Sequence, residues 1–305
     1  MRTAAGVHPD DITTPSDGAR WELLRALGAA ILTPPPGNTA LCGALDLPAQ
    51  SGVDHTDVFV LSAPPHGAIH LGQEGKLGGE GLDRIAGFWR ALGLRAPEDA
   101  DHLGTLLMLY AELGQAEAGA SDERSRAQLH RAREALFHEH IWSWAPGYLT
   151  AVMGLQVDST TAWAGLTEQA LRAELAELGA AALLPLALRS APPGMDVADS
   201  FDETLDAVVA PVRSGVILTH RDLVACATHA GVGFRRGERR FALRAMLQQD
   251  AHGTLGWLAA HARAWTERHT LAQSTDNDPC SWWAQRAAHT ARTLDALAEQ
   301  GAATP

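Results

Sequence analysis

From Trp21 onward the apolar residues of this chain return three and four positions apart, and nowhere do β-branched residues alternate over several strand lengths. A period near 3.6 buries one stripe of a helix, whereas a period of two is needed to bury one face of a sheet. The pattern therefore predicts an all-α fold. Composition points the same way: Ala and Leu dominate, and aromatic residues make up only 6%. At 305 residues with 46% hydrophobic content, the chain has enough apolar material for one large helical domain with an extension.

Leu23, Leu24, Leu27 and Ile31 continue the spacing from Trp21 until Pro34–Pro35–Pro36 stops it. The one strand-like run, Val58–Phe59–Val60–Leu61, has no partner strand and reads as a short buried helical turn before Pro64–Pro65. Residues 66–81 read as a Gly-rich loop. Leu82, Ile85, Ala86, Trp89 and Leu92 then predict a helix closed by Gly93. The next helix is expected over 99–114, with Asp99 and Asp101 complementing the dipole in its first turn. A long helix over 122–143, another from Pro146 and one capped by Ser159 or Thr160 come next.

Pro185 and the stretch from Arg189 to Gly194 form the clearest linker. Beyond it, Ser200–Glu203 and Thr219–Asp222 open two helices as caps, the first with Phe201, Leu205, Val208 and Val209 inward. Two more are expected over 237–248 and 251–268, and Asp278 with Pro279 starts the last. The expected organisation is about ten helices: a flexible tail over 1–18, a helical core over 19–190, and a helical extension over 191–305 packed on it.

The net charge of −12 opposes a nucleic-acid partner and suits a cationic peptide or a basic protein surface. Cys42, Cys226 and Cys280 are scattered, fitting neither a disulfide framework nor a zinc ribbon. The first residues show no signal-peptide pattern and no apolar run is long enough to span a bilayer, so a cytoplasmic protein without stable membrane insertion is expected.

Glu98–Asp99–Ala100–Asp101–His102 is the densest polar cluster: three carboxylates and an imidazole at a helix start. An acid beside a histidine suits general-base chemistry, and the same residues suit helix capping. No G-x-S-x-G or H-E-x-x-H motif supplies a second half of a catalytic site. His138 and His140, two apart on a helix, point to different faces, so neither a metal nor any other cofactor is expected. The Gly-rich loop lacks the lysine pattern of a phosphate loop. The run from Arg235 to Arg240 reads as a solvated helix start pairing with acids nearby. Nine tryptophans against two tyrosines leave core packing and an apolar groove both open.

The stretch Phe88–Trp89–Arg90–Ala91–Leu92–Gly93–Leu94, then Pro97–Glu98–Asp99–Ala100–Asp101–His102–Leu103, then Leu106–Leu107–Met108, resembles the TorD/DmsD/NarJ family of cytosolic chaperones dedicated to molybdoenzymes. Pro64–Pro65 with Leu71 and Gly78–Gly79–Glu80, and Phe137–His138–Glu139–His140 with Trp144–Ala145–Pro146, are similar to its flanking elements. The resemblance covers about residues 20–185. Thr105 stands where the family usually carries an acid, residues 200–305 lie outside the shared core, and the segment from Ser214 to Trp257 resembles the extension of longer members.

The resemblance implies a non-enzymatic chaperone. Its partner would be the catalytic subunit of a molybdenum-cofactor oxidoreductase, or that subunit's twin-arginine signal peptide. It implies that Glu98, Asp101 and His102 contact the peptide or hold the contacting loop, with Leu71, Trp89 and Trp144 as apolar contacts. Homodimerisation is left open. Two other readings stand beside it: a helical hydrolase or nucleotide-dependent factor using Asp101 and His102 as an acid–base pair, and an adaptor acting through residues 200–305.

Overall fold

The computed structural model describes residues 17–235, 237–273 and 278–302. The tail expected over 1–18 lies, through residue 16, outside the described residues, as do Arg236 of the basic run and residues 274–277 before the last helix. Among the described residues there is no strand, and sixteen α-helices are present. Eleven have nine residues or more, close to the expected ten: α1 Asp17–Leu32, α2 Gly79–Ala91, α3 Leu103–Ala118, α4 Glu123–Ala135, α5 Ala145–Gly154, α6 Asp158–Leu178, α7 Phe201–Val209, α8 His220–Ala230, α9 Arg239–Gln249, α10 Ala251–Ala272 and α11 Pro279–Ala302. The rest are short connectors.

The first hydrophobic cluster forms where α1 crosses α3 and both pack near α4, α5 and α6, burying Leu24, Leu27, Leu103, Leu107, Phe137, Tyr148 and Trp163. The α1–α3 crossing is close because glycines meet there: a Cβ on Gly104 would lie 2.6 Å from the Gly28 carbonyl oxygen. A polar knot is buried at the edge of this cluster. The Tyr110 hydroxyl donates to Glu174 at 2.6 Å and accepts from Arg133 at 2.8 Å, while Arg133 also donates to Glu117 at 2.7 Å. Arg20 reaches Glu174 from α1. Four helices are thereby tied through groups that water cannot replace.

The second cluster is aliphatic and lies wholly beyond residue 190, with Leu205, Leu223, Leu243, Met246, Leu258 and Leu294 at its centre. The long α10–α11 pair forms its spine. Where the two regions meet, the Trp283 indole donates to the Ser143 carbonyl at 2.9 Å, and the connector Pro211–Ser214 lies against the connector Gly67–Leu71.

Several local expectations change. The loop expected over 66–81 contains the helix Gly67–Leu71, and α2 begins at Gly79. The run Val58–Leu61 is helical, inside a wide π-type turn over Thr56–Ser62, but only Val58 and Phe59 are buried; Val60 and Leu61 face solvent. The helix expected from residue 99 starts at Leu103, because 99–101 are used as a turn that pairs with another segment. Neither Ser159 nor Thr160 caps α6: both lie inside its first turn behind Val157. Phe201 is 46% exposed beside Arg244 rather than inward. The start of α7 at Ser200, of α8 at Thr219 and of α11 at Pro279, and the turn that ends α2 at Gly93 with its φ of +76°, agree with the sequence reading.

Candidate functional site

Two segments far apart in sequence close on each other at the acid-rich cluster. Pro64 and Pro65 hold the chain extended, as proline and its predecessor must. This lets residues 65–67 lie antiparallel to 101–103, with His66 opposite His102. The Leu103 N–H donates to the Pro65 carbonyl at 2.7 Å, and the Gly67 N–H donates to the Asp101 carbonyl at 2.9 Å.

Asp101 then fastens the short helix that begins at Gly67. Its Oδ2 accepts from the Ala68 N–H at 2.8 Å and its Oδ1 bonds His66 Nδ1 at 3.1 Å. The helix Gly67–Leu71 has no side-chain cap from its own first residues, so Asp101 supplies one from across the clamp. Burial would raise the Asp101 carboxyl, but the bonds from His66 and Ala68 outweigh it and hold its pKa below the usual value. His102 caps the other helix: its Nδ1 accepts from the Gly104 N–H at 3.0 Å, at the start of α3. That role requires a neutral ring, and burial together with the neighbouring His66 pushes its pKa down to about 4.

Behind the clamp, the short helix turns His70 into the interior. The ring stacks on Trp144 at 4.8 Å and meets Tyr148 edge-on. Burial pushes its pKa down to about 3. The Trp144 indole donates to the His140 carbonyl at 2.7 Å, inside the wide turn Leu136–Ile141, and the Tyr148 hydroxyl donates to the Ala63 carbonyl at 3.1 Å. The short helix is thus held from its start by Asp101 and from its far side by an aromatic stack.

Of the residues singled out from sequence, Asp101 and His102 stand together at the clamp, both buried. They do not bond each other; each serves a different helix. Glu98 is exposed on the preceding turn, its carboxylate bonded to nothing among the described residues, and Asp99 is exposed beside it. Leu71 is half-buried at the end of the clamped helix. Trp89 is half-buried on α2, and Trp144 is 2% exposed. Sequence reasoning missed His66, His70 and the Ala68 backbone donor. The available signal was a pair of histidines four apart, directly after Pro64–Pro65.

The clamp fixes a short helix, the glycine-rich loop after it and the exposed Glu98–Asp99 turn in one relative position. Among the described residues no three His, Cys, Asp or Glu side chains cluster to hold a metal, and no helix is long and apolar enough to cross a membrane.

No curated protein sequence matches the chain. Residues 24–149, which contain both segments of the clamp and the aromatic stack, match the family model of the nitrate reductase delta subunit. That family works with molybdoenzyme subunits, and the match supports a molybdoenzyme maturation chaperone in general. Over this segment the chain is similar to the nitrate reductase delta subunit family, consistent with the NarJ/TorD-type chaperones that its motifs resemble.

Proposed function

We propose that the chain is a cytoplasmic chaperone without catalytic activity of its own. It binds the N-terminal, twin-arginine signal segment of a molybdenum-cofactor oxidoreductase and assists cofactor insertion before that enzyme moves on. The observation that carries this reading is the family match over residues 24–149, which encloses the whole clamp. In this reading the exposed carboxylate of Glu98 meets the arginines of the segment by charge-assisted hydrogen bonds. Asp101 and His102 act from beneath by holding the loop in place, Leu71 and Trp89 offer apolar surface, and the buried Trp144 acts through His70. Residues 19–190 form the chaperone core and 191–305 an extension packed on it; a homodimer belongs to the same proposal. The acid–base reading of Asp101 and His102 finds little support in a geometry where each is bonded elsewhere.

The test is titration calorimetry of the full chain with a twin-arginine signal peptide from a molybdoenzyme encoded nearby. Binding is expected, with Glu98→Gln and Asp101→Ala each weakening it by about 1–3 kcal/mol. A folded chain that binds no such peptide, in an organism whose molybdoenzymes mature normally without it, would overturn the proposal.

A further inference from the structure

The glycine-rich loop and the basic run, far apart in the sequence, meet in space. The glycine-rich loop carries Lys76, the only lysine of the chain. The basic run sits against that loop: Arg239 donates to the Gly75 carbonyl at 3.3 Å and to the Leu218 carbonyl at 3.1 Å, and Lys76 Nζ lies 3.7 Å from Glu238. Between loop and extension opens a cleft of about 440 Å³, with Gln73, Glu74 and Lys76 on one side and Asp206, Arg213 and Arg240 on the other. That volume lies in the range of small-molecule sites.

The charges in this cleft are unevenly satisfied. Asp206 is taken by Arg240, which also pairs with Asp202 at 2.7 Å. Arg213 has no hydrogen bond or ion pair among the described residues, and its Nε is buried without an acceptor. Arg286 stands behind the same wall, donating to the Pro192 carbonyl at 3.0 Å. Burial, and then the charge of Arg213, lower its pKa from the ordinary value. Two guanidiniums therefore face each other's field with no carboxylate bonded to either. Most other arginines of α1, α4 and α9 pair with acids. A buried guanidinium donor left without an acceptor is costly. The long-range charge of −12 does little here, because screening confines exposed charges to about 8 Å at physiological salt.

We propose that this cleft binds a small phosphate-bearing ligand, with Arg213 as the anchor and Lys76 and Arg240 on its flanks. A guanidinium fork matches two oxygens of a phosphate, and a lysine adds a mobile point charge from the loop. Gln73 offers a neutral amide beside them. The site draws on the region matched to the family and on the extension together, so it is distinct from the clamp and independent of the signal-peptide reading.

The experiment is titration of the full chain with inorganic pyrophosphate, read by calorimetry and by acylation of Lys76 followed by mass spectrometry. Because the chain has a single lysine, protection reports on this cleft alone. Binding is expected, with Lys76 protected and the affinity of Arg213→Gln reduced roughly tenfold or more. Absence of both heat and protection at millimolar pyrophosphate overturns the proposal, as does binding that Arg213→Gln leaves unchanged. Should Arg213→Gln fail to fold, the exposed Lys76→Gln decides: weakened binding supports the site, and unchanged affinity sinks it.

Discussion

Beyond residue 190, α7 starts on Ser200, α8 on Thr219, α10 on Asp250 and α11 on Asp278, each a side chain within a few residues of the backbone groups it caps. In the region that contains the family match, α3 and α4 start in the same local way on His102 and Asp122, but the helix Gly67–Leu71 starts on Asp101 and the helix Leu186–Arg189 has its first N–H taken by Glu139, 47 residues earlier. The first kind of start can form as soon as the local chain turns helical. The second exists only once the fold has assembled, because its acceptor arrives from another element. The cores differ in the same sense. The second is aliphatic, while the first carries a buried network of Glu174, Tyr110 and Arg133 in which the loss of one member leaves the others under-satisfied. A region held by mutual, non-local polar contacts has a more sharply defined shape and more ways to lose it.

The largest expected effect is acid sensitivity, concentrated in the first region. Burial pushes His70 down to about 3 and His102 and His140 down to about 4, with His269 at the junction also near 4. Each stays neutral in the fold, while the unfolded chain takes up a proton below about pH 6.5. The stabilisation is complete above that pH and is lost as pH falls towards the folded values, at up to about 1.4 kcal/mol per pH unit for each histidine. Asp101, whose folded pKa is lowered, loses its own contribution only further down, from about pH 4. Thermal unfolding between about pH 4.5 and 7.5 measures this; a melting temperature that stays flat below pH 6.5 would remove the argument.

Next in size is the polar knot. Glu174→Ala leaves the buried Tyr110 hydroxyl without its acceptor and takes from Arg20 and Arg133 their shared buried carboxylate, so that Arg133 keeps only Glu117 and Glu177, and a loss of about 3–5 kcal/mol is expected in urea unfolding. Asp202→Ala in the second region removes surface pairs with Arg240 and Arg244 and should cost no more than about 1 kcal/mol. Equal losses would mean that the two regions are not held together differently after all.

Asp101→Ala should cost about 1–3 kcal/mol, and its location matters more than its size. Amide exchange at Ala68 and Ile69 should accelerate, since the helix Gly67–Leu71 loses its borrowed cap, while α3 keeps the cap of His102. If exchange rises at the start of α3 instead, Asp101 serves its own helix, as its place in the sequence suggests.

Legibility in the sequence divides along the same line. The 3.6 period makes the helices of both regions readable, and Ser200, Thr219 and Asp278 announce their starts because cap and helix are neighbours in the chain. The cluster from Glu98 to His102 is visible as chemistry, yet its geometry is not. Nothing within ten residues of Asp101 shows that its carboxylate reaches back to Ala68, so sequence places the helix four residues too early and misses its true partner, His66. Whether Trp144 belongs to core or groove stays open in the sequence for the same reason: the His70 ring that stacks on it comes from a segment that reads as loop.

The smallest effect isolates the local kind of start. Ser200 accepts from the Glu203 N–H, and Glu203 accepts in return from the Ser200 N–H at 2.8 Å, on an exposed turn. Ser200→Ala removes one side of that exchange and should cost about 1 kcal/mol. Because no residue outside the turn takes part, faster amide exchange should be confined to the first turn of α7, and signal-peptide binding should be untouched. If the change instead spreads to Pro211–Ser214, and from there to Gly67–Leu71 against which that connector lies, then the extension and the clamp are coupled through α7. The start of α7 would then be as non-local in its consequences as the one Asp101 provides.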